Sequence, residues 1–316
     1  MTRASAPGLN HGRSPAPEGA MAGSGSTARA SVRGRVAAAT PTAGTNATAG
    51  AERIRAAFAR AEAENRSALI AYIVAGYPDA DTSVAIGLAA ADAGADLLEV
   101  GLPYSDPLAD GATLQRASAV AIRAGATLDG SIRLLGRLAE ARPDLPLVPM
   151  AYANQVIGGG DGRPTATRLA AAGASGLILA DLTPDEGGAF EEVAADVGLA
   201  LVYLVAPTTS PERRAWIAGR TGGFLYCVSL VGVTGARSAL PRSVPRLVRS
   251  VRAVAPVPVA VGFGVSRPAH VRLLTQAGAE GVIVASALVD ALGPDGRNLD
   301  RLANLVRALR AATVRQ

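Results

Sequence analysis

Two carboxylates associated with one apolar segment are the strongest candidates for chemistry in this chain. Glu99 lies in the apolar run 97–101, and Asp110 lies in the loop that follows, Leu-Pro-Tyr-Ser-Asp-Pro-Leu-Ala-Asp-Gly over residues 102–111. Apolar surroundings favour the neutral form of a carboxyl group and raise its pKa, which suits Glu99 to general-acid catalysis near neutral pH. Asp110, in a polar loop, is expected to remain ionised. A lone Glu in a strand more often forms a structural ion pair, but two carboxylates in unlike environments beside a Pro-, Gly- and Asp-rich loop indicate an acid–base site.

The residue types that are missing narrow the chemistry further. The chain of 316 residues has no lysine, one cysteine (Cys227) and two histidines, His11 and His270. Without lysine it forms no Schiff base, and without a His/Cys cluster it has no site of the zinc-finger kind. Cys227 lies in an apolar run and is expected to be buried and inert, whereas His270 is expected to face solvent at a helix start. We therefore expect no cofactor and no metal, and chemistry performed by carboxylates, hydroxyls and backbone dipoles.

Charge and hydropathy argue against nucleic-acid and membrane partners. Residues 1–50 hold five arginines and one acidic residue, so most of the formal net charge of +5 lies there and the remainder is nearly neutral. A nearly neutral body with few aromatic residues lacks the basic face that binds a nucleic-acid backbone. Its apolar runs are shorter than the roughly 18 residues that cross a bilayer. A soluble cytoplasmic protein is predicted, and a single cysteine agrees with a reducing compartment.

From residue 51 onward, short apolar runs alternate with helical segments such as 82–93, 185–197, 242–254 and 267–277. Continuous apolar strands, each followed by a helix, are typical of a parallel sheet covered by helices. Eight such units in about 260 residues predict an α/β protein with one (β/α)8 TIM barrel domain over residues 51–316. A doubly wound open sheet is the alternative, although such sheets normally have fewer strands. The predicted strands are 69–74, 97–101, 147–151, 176–180, 200–205, 224–228, 257–261 and 281–285.

The first 50 residues differ in composition from the rest of the chain. They are rich in Ala, Gly, Ser, Thr and Pro and have no hydrophobic period, so a disordered N-terminal extension is predicted for 1–50. The arginine-rich, acid-poor composition is also typical of an organelle transit peptide, which would place the chain outside the cytoplasm. An extended or misassigned start, with Met21 as another initiator, is the favoured interpretation.

Glycine clusters after the last three predicted strands indicate a phosphate site. Gly-Val-Thr-Gly occupies 232–235, Gly-Phe-Gly occupies 262–264, and Ala285 and Ser286 end the eighth strand. Loops after the late strands of a TIM barrel, with a short helix N-terminus, commonly bind phosphate. Glycine lets backbone N–H groups approach the anion, and a serine hydroxyl adds a donor. A phosphorylated substrate is therefore expected.

Taken together, these motifs resemble the alpha chain family of tryptophan synthase over roughly residues 53–313. Segment 99–111 looks like the family signature almost unbroken, and 232–236 and 262–264 match further motifs in the same order and spacing. The resemblance implies a lyase of tryptophan biosynthesis that cleaves indole-3-glycerol phosphate, by a retro-aldol reaction, into indole and glyceraldehyde 3-phosphate. That reaction needs neither lysine nor metal.

The resemblance also implies roles for single residues. Glu99 would protonate the indole carbon that bears the side chain and assist deprotonation of the adjacent hydroxyl. Asp110 would hydrogen-bond the indole N–H and stabilise positive charge on the ring. Tyr226 would line the indole pocket, and Thr234 would position Asp110 when the loop closes. The other implied substrate-binding residues are the phosphate contacts Gly235, Gly264 and Ser286, together with Tyr152 beside the pocket.

A partner follows from the resemblance as well, namely a pyridoxal-phosphate-dependent beta chain in an alpha2-beta2 tetramer. Three alternatives stay open: a stand-alone lyase that releases free indole, a non-catalytic activator of a beta chain, and another phosphosugar isomerase on the same fold. The pair Glu99 and Asp110 argues against an activator, and segment 103–110 argues against an isomerase.

Besides Thr183, which stands where some relatives have proline, three positions depart from the family pattern. Ala285 stands where many relatives have glycine, Ala112 where proline is frequent, and Leu230 where many have arginine. The first change is expected to weaken phosphate binding, and the other two to alter the motion of the loops at the site. None of them removes a catalytic group.

Overall fold

The computed structural model describes residues 48–229 and 240–315, in which nine strands form one sheet with parallel neighbours. Along the sheet their order is β5-β4-β3-β2-β1-β9-β8-β7-β6. Because β5 and β6 are separated in the chain by Tyr203 alone, the two ends of this order meet and the sheet curls into a barrel. The strands are β1 (Ala68–Val74), β2 (Leu97–Gly101), β3 (Leu147–Ala151), β4 (Gly176–Leu179), β5 (Ala200–Val202), β6 (Leu204–Val205), β7 (Leu225–Val228), β8 (Val259–Gly262) and β9 (Gly281–Val284).

The fifth predicted strand is the one that the structure divides. β5 pairs with β4 and β6 pairs with β7. Between them the Tyr203 N–H donates to Thr221 Oγ1 at 2.9 Å, whereas the Tyr203 carbonyl accepts from the Tyr226 N–H at 3.1 Å. Since β5 and β6 together fill one position of the barrel, the predicted (β/α)8 architecture is confirmed, while the count of eight separate strands becomes nine.

Helices surround the sheet, and several begin at polar residues that cap them. Thr48 Oγ1 accepts from the Ala51 N–H at 3.1 Å, and Asp79 Oδ1 accepts from the Thr82 N–H at 2.9 Å. These contacts satisfy backbone donors that the first helical turn leaves open. The helices are α1 (Ala49–Ala63), α2 (Ala80–Asp92), α3 (Ala112–Arg123), α4 (Leu128–Ala141), α5 (Ala153–Ile157), α6 (Arg163–Ala171), α7 (Pro184–Asp196), α8 (Pro211–Ala218), α9 (Val244–Arg252), α10 (Pro268–Gln276), α11 (Ser286–Ala291) and α12 (Leu299–Ala311).

Helix α1 lies across the N-terminal end of the barrel. A Cβ on Gly176, which begins β4, would be 3.1 Å from Ile54 Cδ1, and one on Gly281, which begins β9, would be 2.8 Å from the Phe58 ring. A Cβ on Gly223, just before β7, would likewise be 2.9 Å from Ile54. Two side chains of α1, those of Ile54 and Phe58, therefore fill the space that these glycines leave at the N-terminal end of the barrel.

Of the predictions about Cys227 and His270, one is confirmed and one is wrong. Cys227 is fully buried, so the prediction of a buried cysteine is confirmed, and burial raises the pKa of its thiol to about 12. The prediction that His270 faces solvent is wrong: the side chain is buried, and its Nδ1 accepts from the Ser266 N–H at 3.3 Å. The imidazole packs under the loop that precedes α10 and satisfies a backbone donor there.

Some expectations concern parts of the chain outside the described residues. The predicted extension 1–50 falls almost entirely on residues 1–47, and α1 begins at Ala49, just before the predicted domain start at 51. Both domain boundaries therefore stay predictions. Across the described residues, every helix is too short or too polar to traverse a bilayer.

Candidate active site

One pocket at the carboxyl ends of the strands brings together five of the predicted site residues. It is lined by Glu99 on β2, Asp110 in the loop after β2, Tyr226 on β7, Gly264 after β8 and Ser286 at the start of α11. The space within and above the pocket, counting the part that is open solvent, is about 430 Å³. Its remaining lining residues are Tyr72, Leu114, Met150, Phe263, Val265, Ile283 and Ala285.

Glu99 is the buried acid of this pocket. Its side chain is 1% exposed, and burial, assisted by the negative charge of Asp110, raises its pKa to about 8. Within the described part of the chain, Glu99 Oε2 has no hydrogen-bond partner. A carboxyl group that is protonated at neutral pH and has an unpartnered oxygen is equipped to give a proton to a bound substrate.

Asp110 carries the opposite protonation state. Burial raises the pKa of its carboxyl to about 6, and a hydrogen bond from the Tyr152 hydroxyl opposes that shift. At pH 7 Asp110 is therefore mostly ionised while Glu99 is mostly neutral. Two neighbouring carboxylates whose environments separate their pKa values can act as acid and as charge stabiliser in one site.

Tyr152 lies beside the pocket and contacts the end of the loop that carries Asp110. Its hydroxyl accepts a hydrogen bond from the Ala109 N–H at 2.9 Å and donates one to the Asp110 carboxylate. Burial and the Asp110 charge raise the pKa of the Tyr152 phenol, so it remains a proton donor in hydrogen bonds at every physiological pH. The predicted residue Tyr152 therefore acts on the pocket through Asp110.

Two buried tyrosines extend across glycines to reach the interior of the pocket. The Tyr72 hydroxyl lies 1.9 Å from the position that a Cβ on Gly101 would occupy, and the Tyr226 hydroxyl lies 2.5 Å from the corresponding position on Gly262. Burial raises the pKa of both phenols well above the ordinary value, with Asp110 and Glu99 contributing. Both phenols therefore stay neutral beside the carboxylates.

Sequence reasoning missed Tyr72, although two signals for it were present. Tyr72 is the one residue of β1 with a polar tip, in a strand that is otherwise aliphatic. It is in register with Glu99 on the neighbouring strand, so the two side chains point to the same side of the sheet. Gly101, two residues after Glu99, marks the space into which the phenol extends.

The opposite side of the pocket has the backbone geometry of an anion site. Phe263 and Gly264 both adopt positive φ angles, 73° and 75°. The Ser229 hydroxyl fixes this turn by donating to the Phe263 carbonyl at 2.6 Å. Ser286 begins α11, where the first N–H groups have no acceptor within the helix and can bind an anion. Thr234 and Gly235 lie outside the described residues, so their predicted roles are not placed by the structure.

No cluster of three or more His, Cys, Asp or Glu side chains suited to a metal ion occurs over residues 48–229 and 240–315. The polar groups that converge on the pocket are instead two carboxylates, two phenols, a serine and backbone amides. The carboxylates can protonate one end of a substrate and stabilise positive charge there. The serine and the backbone amides can bind an anion at its other end.

Comparisons with known proteins give a consistent result. The sequence model of a protein family described as "Tryptophan synthase alpha chain" matches residues 58–314. A tryptophan synthase alpha chain from Roseiflexus castenholzii is 45% identical over 260 residues, covering 82% of this chain and 99% of the relative. One from Deinococcus radiodurans is 44% identical over 274 residues, covering 85% and 98%. Among solved structures, a chain of Mycobacterium tuberculosis tryptophan synthase superposes with a TM-score of 0.77 at 40% identity, covering 84% of this chain and 99% of that one.

Proposed function

This chain belongs to the tryptophan synthase alpha chain family, and we propose that its pocket cleaves indole-3-glycerol phosphate into indole and glyceraldehyde 3-phosphate. It is accordingly a lyase of tryptophan biosynthesis. The observation that carries the proposal is the pairing of a neutral buried acid, Glu99, with an ionised carboxylate, Asp110, in one pocket.

In the first step of this reaction Glu99 gives its proton to the indole carbon that bears the glycerol phosphate side chain. The ring then carries a positive charge that is shared with its N–H group. Asp110 accepts a hydrogen bond from that N–H and stabilises the charge, as its ionised state at neutral pH allows. Both roles are supported by the separation of the two pKa values, about 8 and about 6.

In the second step the carbon–carbon bond to the side chain breaks. Its electron pair returns to the ring and neutralises it, so indole is formed. The hydroxyl on the neighbouring side-chain carbon loses its proton to the Glu99 carboxylate and becomes the aldehyde of glyceraldehyde 3-phosphate. Glu99 is thereby protonated again, and neither a net proton nor an electron is consumed.

The phosphate of the substrate lies, in this proposal, at the opposite side of the pocket. Gly264 offers its backbone there without a side chain, and the Ser286 hydroxyl and the first amides of α11 are donors. Tyr226 packs beside the indole ring in this proposal. The Phe263 ring, whose centroid lies 6.1 Å from that of Tyr226, adds a second aromatic surface. Thr234 and Gly235 are assigned to this site by sequence motif alone.

We further propose a tryptophan synthase beta chain as partner, in an alpha2-beta2 tetramer. The surface beside the pocket supports such docking, because Leu108 at the tip of the loop is 85% exposed and lies in one groove with the exposed Ile122. Apolar side chains exposed together commonly mark an interaction surface. A cytoplasmic location belongs to the same proposal, since a phosphorylated substrate does not cross membranes unaided.

A steady-state assay of the purified chain on indole-3-glycerol phosphate, following indole release, tests the proposed function. Slow release that a beta chain accelerates, and that Glu99→Gln abolishes, is the expected result. Fast release by the chain alone would instead favour a stand-alone lyase. Release in neither condition would contradict the proposed reaction, and sedimentation of the mixture with a beta chain would test the tetramer separately.

A further inference from the structure

The loop that carries Asp110 is held at both ends by one short segment, the region of β3 and α5 from Met150 to Gln155. At the start of the loop, the Leu102 N–H donates to the Met150 carbonyl at 2.8 Å. At its end, the Ala109 N–H donates to the Tyr152 hydroxyl at 2.9 Å. Between these ends the tip is open, as the exposed Leu108 shows.

Gln155 is the residue that joins the two anchored ends. Its Oε1 accepts from the Tyr152 N–H at 3.0 Å, and its Nε2 donates to the Pro103 carbonyl at 3.0 Å. The first contact closes the start of α5, in the manner of a side chain in the first turn that reaches back to the capping residue. The second contact ties the beginning of the loop to the same amide group.

One side chain therefore fixes both the residue that orients Asp110 and the segment that delivers Asp110 to the pocket. The Tyr152 ring is also held between this segment and the loop, because its centroid lies 4.9 Å from that of Tyr104. The Tyr152 hydroxyl donates to the Asp110 carboxylate only if the ring keeps this position.

We propose that Gln155 is a positioning residue for the acid–base pair, which holds the Tyr152 hydroxyl against Asp110 and thereby keeps that carboxylate ionised and oriented. The proposal rests on the proposed function for its catalytic meaning, since Asp110 acts in that reaction. Gln155 does not line the pocket, and its action on the substrate passes through Tyr152 and the loop.

The charge balance at Asp110 gives the direction of the effect. In the described part of the chain, the titratable groups that face it are Tyr152 at the start of α5, Glu99 on β2, Tyr72 on β1 and Tyr226 on β7. The Tyr152 hydrogen bond lowers the pKa of Asp110 against the effect of burial. If the Tyr152 ring is released, this pKa rises and less of the carboxylate is ionised at pH 7.

The decisive experiment is a double-mutant cycle between Gln155→Met and Tyr152→Phe. Methionine keeps the length of the side chain and removes both hydrogen bonds, while phenylalanine removes only the hydroxyl. We expect each single change to lower kcat/KM about fivefold, the equivalent of one hydrogen bond. Because Gln155 acts on Asp110 in part through the phenol, we expect Gln155→Met to have a clearly smaller effect in the Tyr152→Phe background than in wild type.

Gln115→Met is the matched control. The Gln115 Nε2 also donates to a backbone carbonyl of this loop, that of Asp110, at 3.0 Å, whereas the donor to the Tyr152 hydroxyl is the Ala109 N–H. Its effect on kcat/KM is expected to add to that of Tyr152→Phe. Gln155→Glu is a milder variant, since its carboxylate still accepts from the Tyr152 N–H and supports the start of α5 while the donor to Pro103 is lost.

A second readout does not depend on substrate at all. The pKa of Asp110 can be followed in the ligand-free protein by carbon NMR of the aspartate carboxyl groups, assigned with Asp110→Asn. We expect this pKa to rise in Gln155→Met and in Tyr152→Phe, and to stay unchanged in Gln115→Met. Loss of the proposed function would show as an inactive wild-type chain, and this titration would still be informative.

Two results would overturn the proposal. The first is additivity of Gln155→Met and Tyr152→Phe in kcat/KM, which would mean that Gln155 acts independently of the phenol. The second is an unchanged Asp110 pKa in Gln155→Met. If Gln155→Met does not fold, the cycle with Gln155→Glu tests the tie to Pro103 alone, and additivity of that variant with Tyr152→Phe would overturn the part of the proposal that acts through the loop.

Discussion

The Tyr72 hydroxyl occupies the space that a side chain on Gly101 would need, with its oxygen 1.9 Å from the position of a Cβ there. The two residues lie on neighbouring strands, β1 and β2, and Glu99 is two positions before Gly101 on the second of these. The glycine thus lets a phenol pass over the strand and enter the pocket beside the acid.

Gly101→Ala is therefore expected to displace Tyr72 and disturb Glu99. Overpacking of this kind costs about 1–3 kcal/mol in the free energy of unfolding. We also expect indole release to fall, because the displaced phenol intrudes on the pocket. In Gly101→Ala/Tyr72→Phe the nearest ring carbon would still be 2.5 Å away, so only partial recovery is expected. Equal stability of wild type and Gly101→Ala in urea unfolding would contradict the close approach.

Glu99→Gln should abolish cleavage and leave substrate binding nearly intact. The amide keeps the size of the side chain but gives no proton to the ring, and loss of general-acid catalysis typically costs about 10²–10⁴-fold in rate. Single-turnover indole release and calorimetric binding would separate the two effects. Glu62→Gln, an exposed glutamate on α1, is the matched control and should behave as wild type. Turnover retained in Glu99→Gln would refute the assigned role.

The pH profile of kcat/KM should be bell-shaped, with limbs near pH 6 and pH 8. Below the lower limb Asp110 becomes protonated and no longer stabilises positive charge on the ring. Above the upper limb Glu99 becomes ionised and can no longer give its proton. Asp110→Asn should remove the acidic limb and lower the pKa that governs the basic limb, because the Asp110 charge contributes to the raised pKa of Glu99. A profile that is flat from pH 5 to pH 9 would argue against both assignments.

The same raised pKa makes Glu99 a source of instability in alkaline solution. Its pKa is about 8 in the folded chain against 4.5 ordinarily, so the folded state binds the proton more tightly than the unfolded state. The unfolding free energy should then fall as pH rises from about 4.5 to about 8. Glu99→Gln lacks this titration, so its stability relative to wild type should increase across that window in urea unfolding. A constant difference between the two proteins would show that Glu99 is not held neutral by burial.

Gly264→Ala should weaken phosphate binding more than it weakens the fold. Gly264 has a φ of 75°, where an L side chain is strained by about 1–2 kcal/mol, and it lines the pocket. Gly278→Ala is the matched control, since Gly278 has a φ of 96° with open space around it and lies outside the pocket. We expect both variants to lose similar stability, but only Gly264→Ala to raise KM, by roughly tenfold if one charge-assisted amide contact is lost. An equal KM in the two variants would remove Gly264 from the phosphate site.

The sequence predicted those features that depend on local pattern. The apolar strands and the carboxylate pair Glu99 and Asp110 follow from short stretches of chain. Gly264 and Ser286 could be placed in the same pocket because strand order in a (β/α)8 barrel brings consecutive carboxyl ends together.

What the sequence did not predict depends on contacts between distant residues. The break at Tyr203 requires Thr221, 18 positions away, and Gln155 meets Pro103 across 52 positions. The burial of His270 likewise follows from the loop that packs over it and not from its place at a helix start. Hydrophobic pattern specifies which face of an element is buried, but it does not specify which side chain will meet which loop.

The position of helix α1 bears on how small molecules reach the pocket. Ile54 and Phe58 fill the N-terminal end of the barrel. In the described part of the chain, the pocket therefore opens at the carboxyl ends of the strands, beside the loop that carries Asp110. This is the end at which we expect substrate to bind. A partner that binds over this end of the barrel would receive indole before the indole diffuses into bulk water.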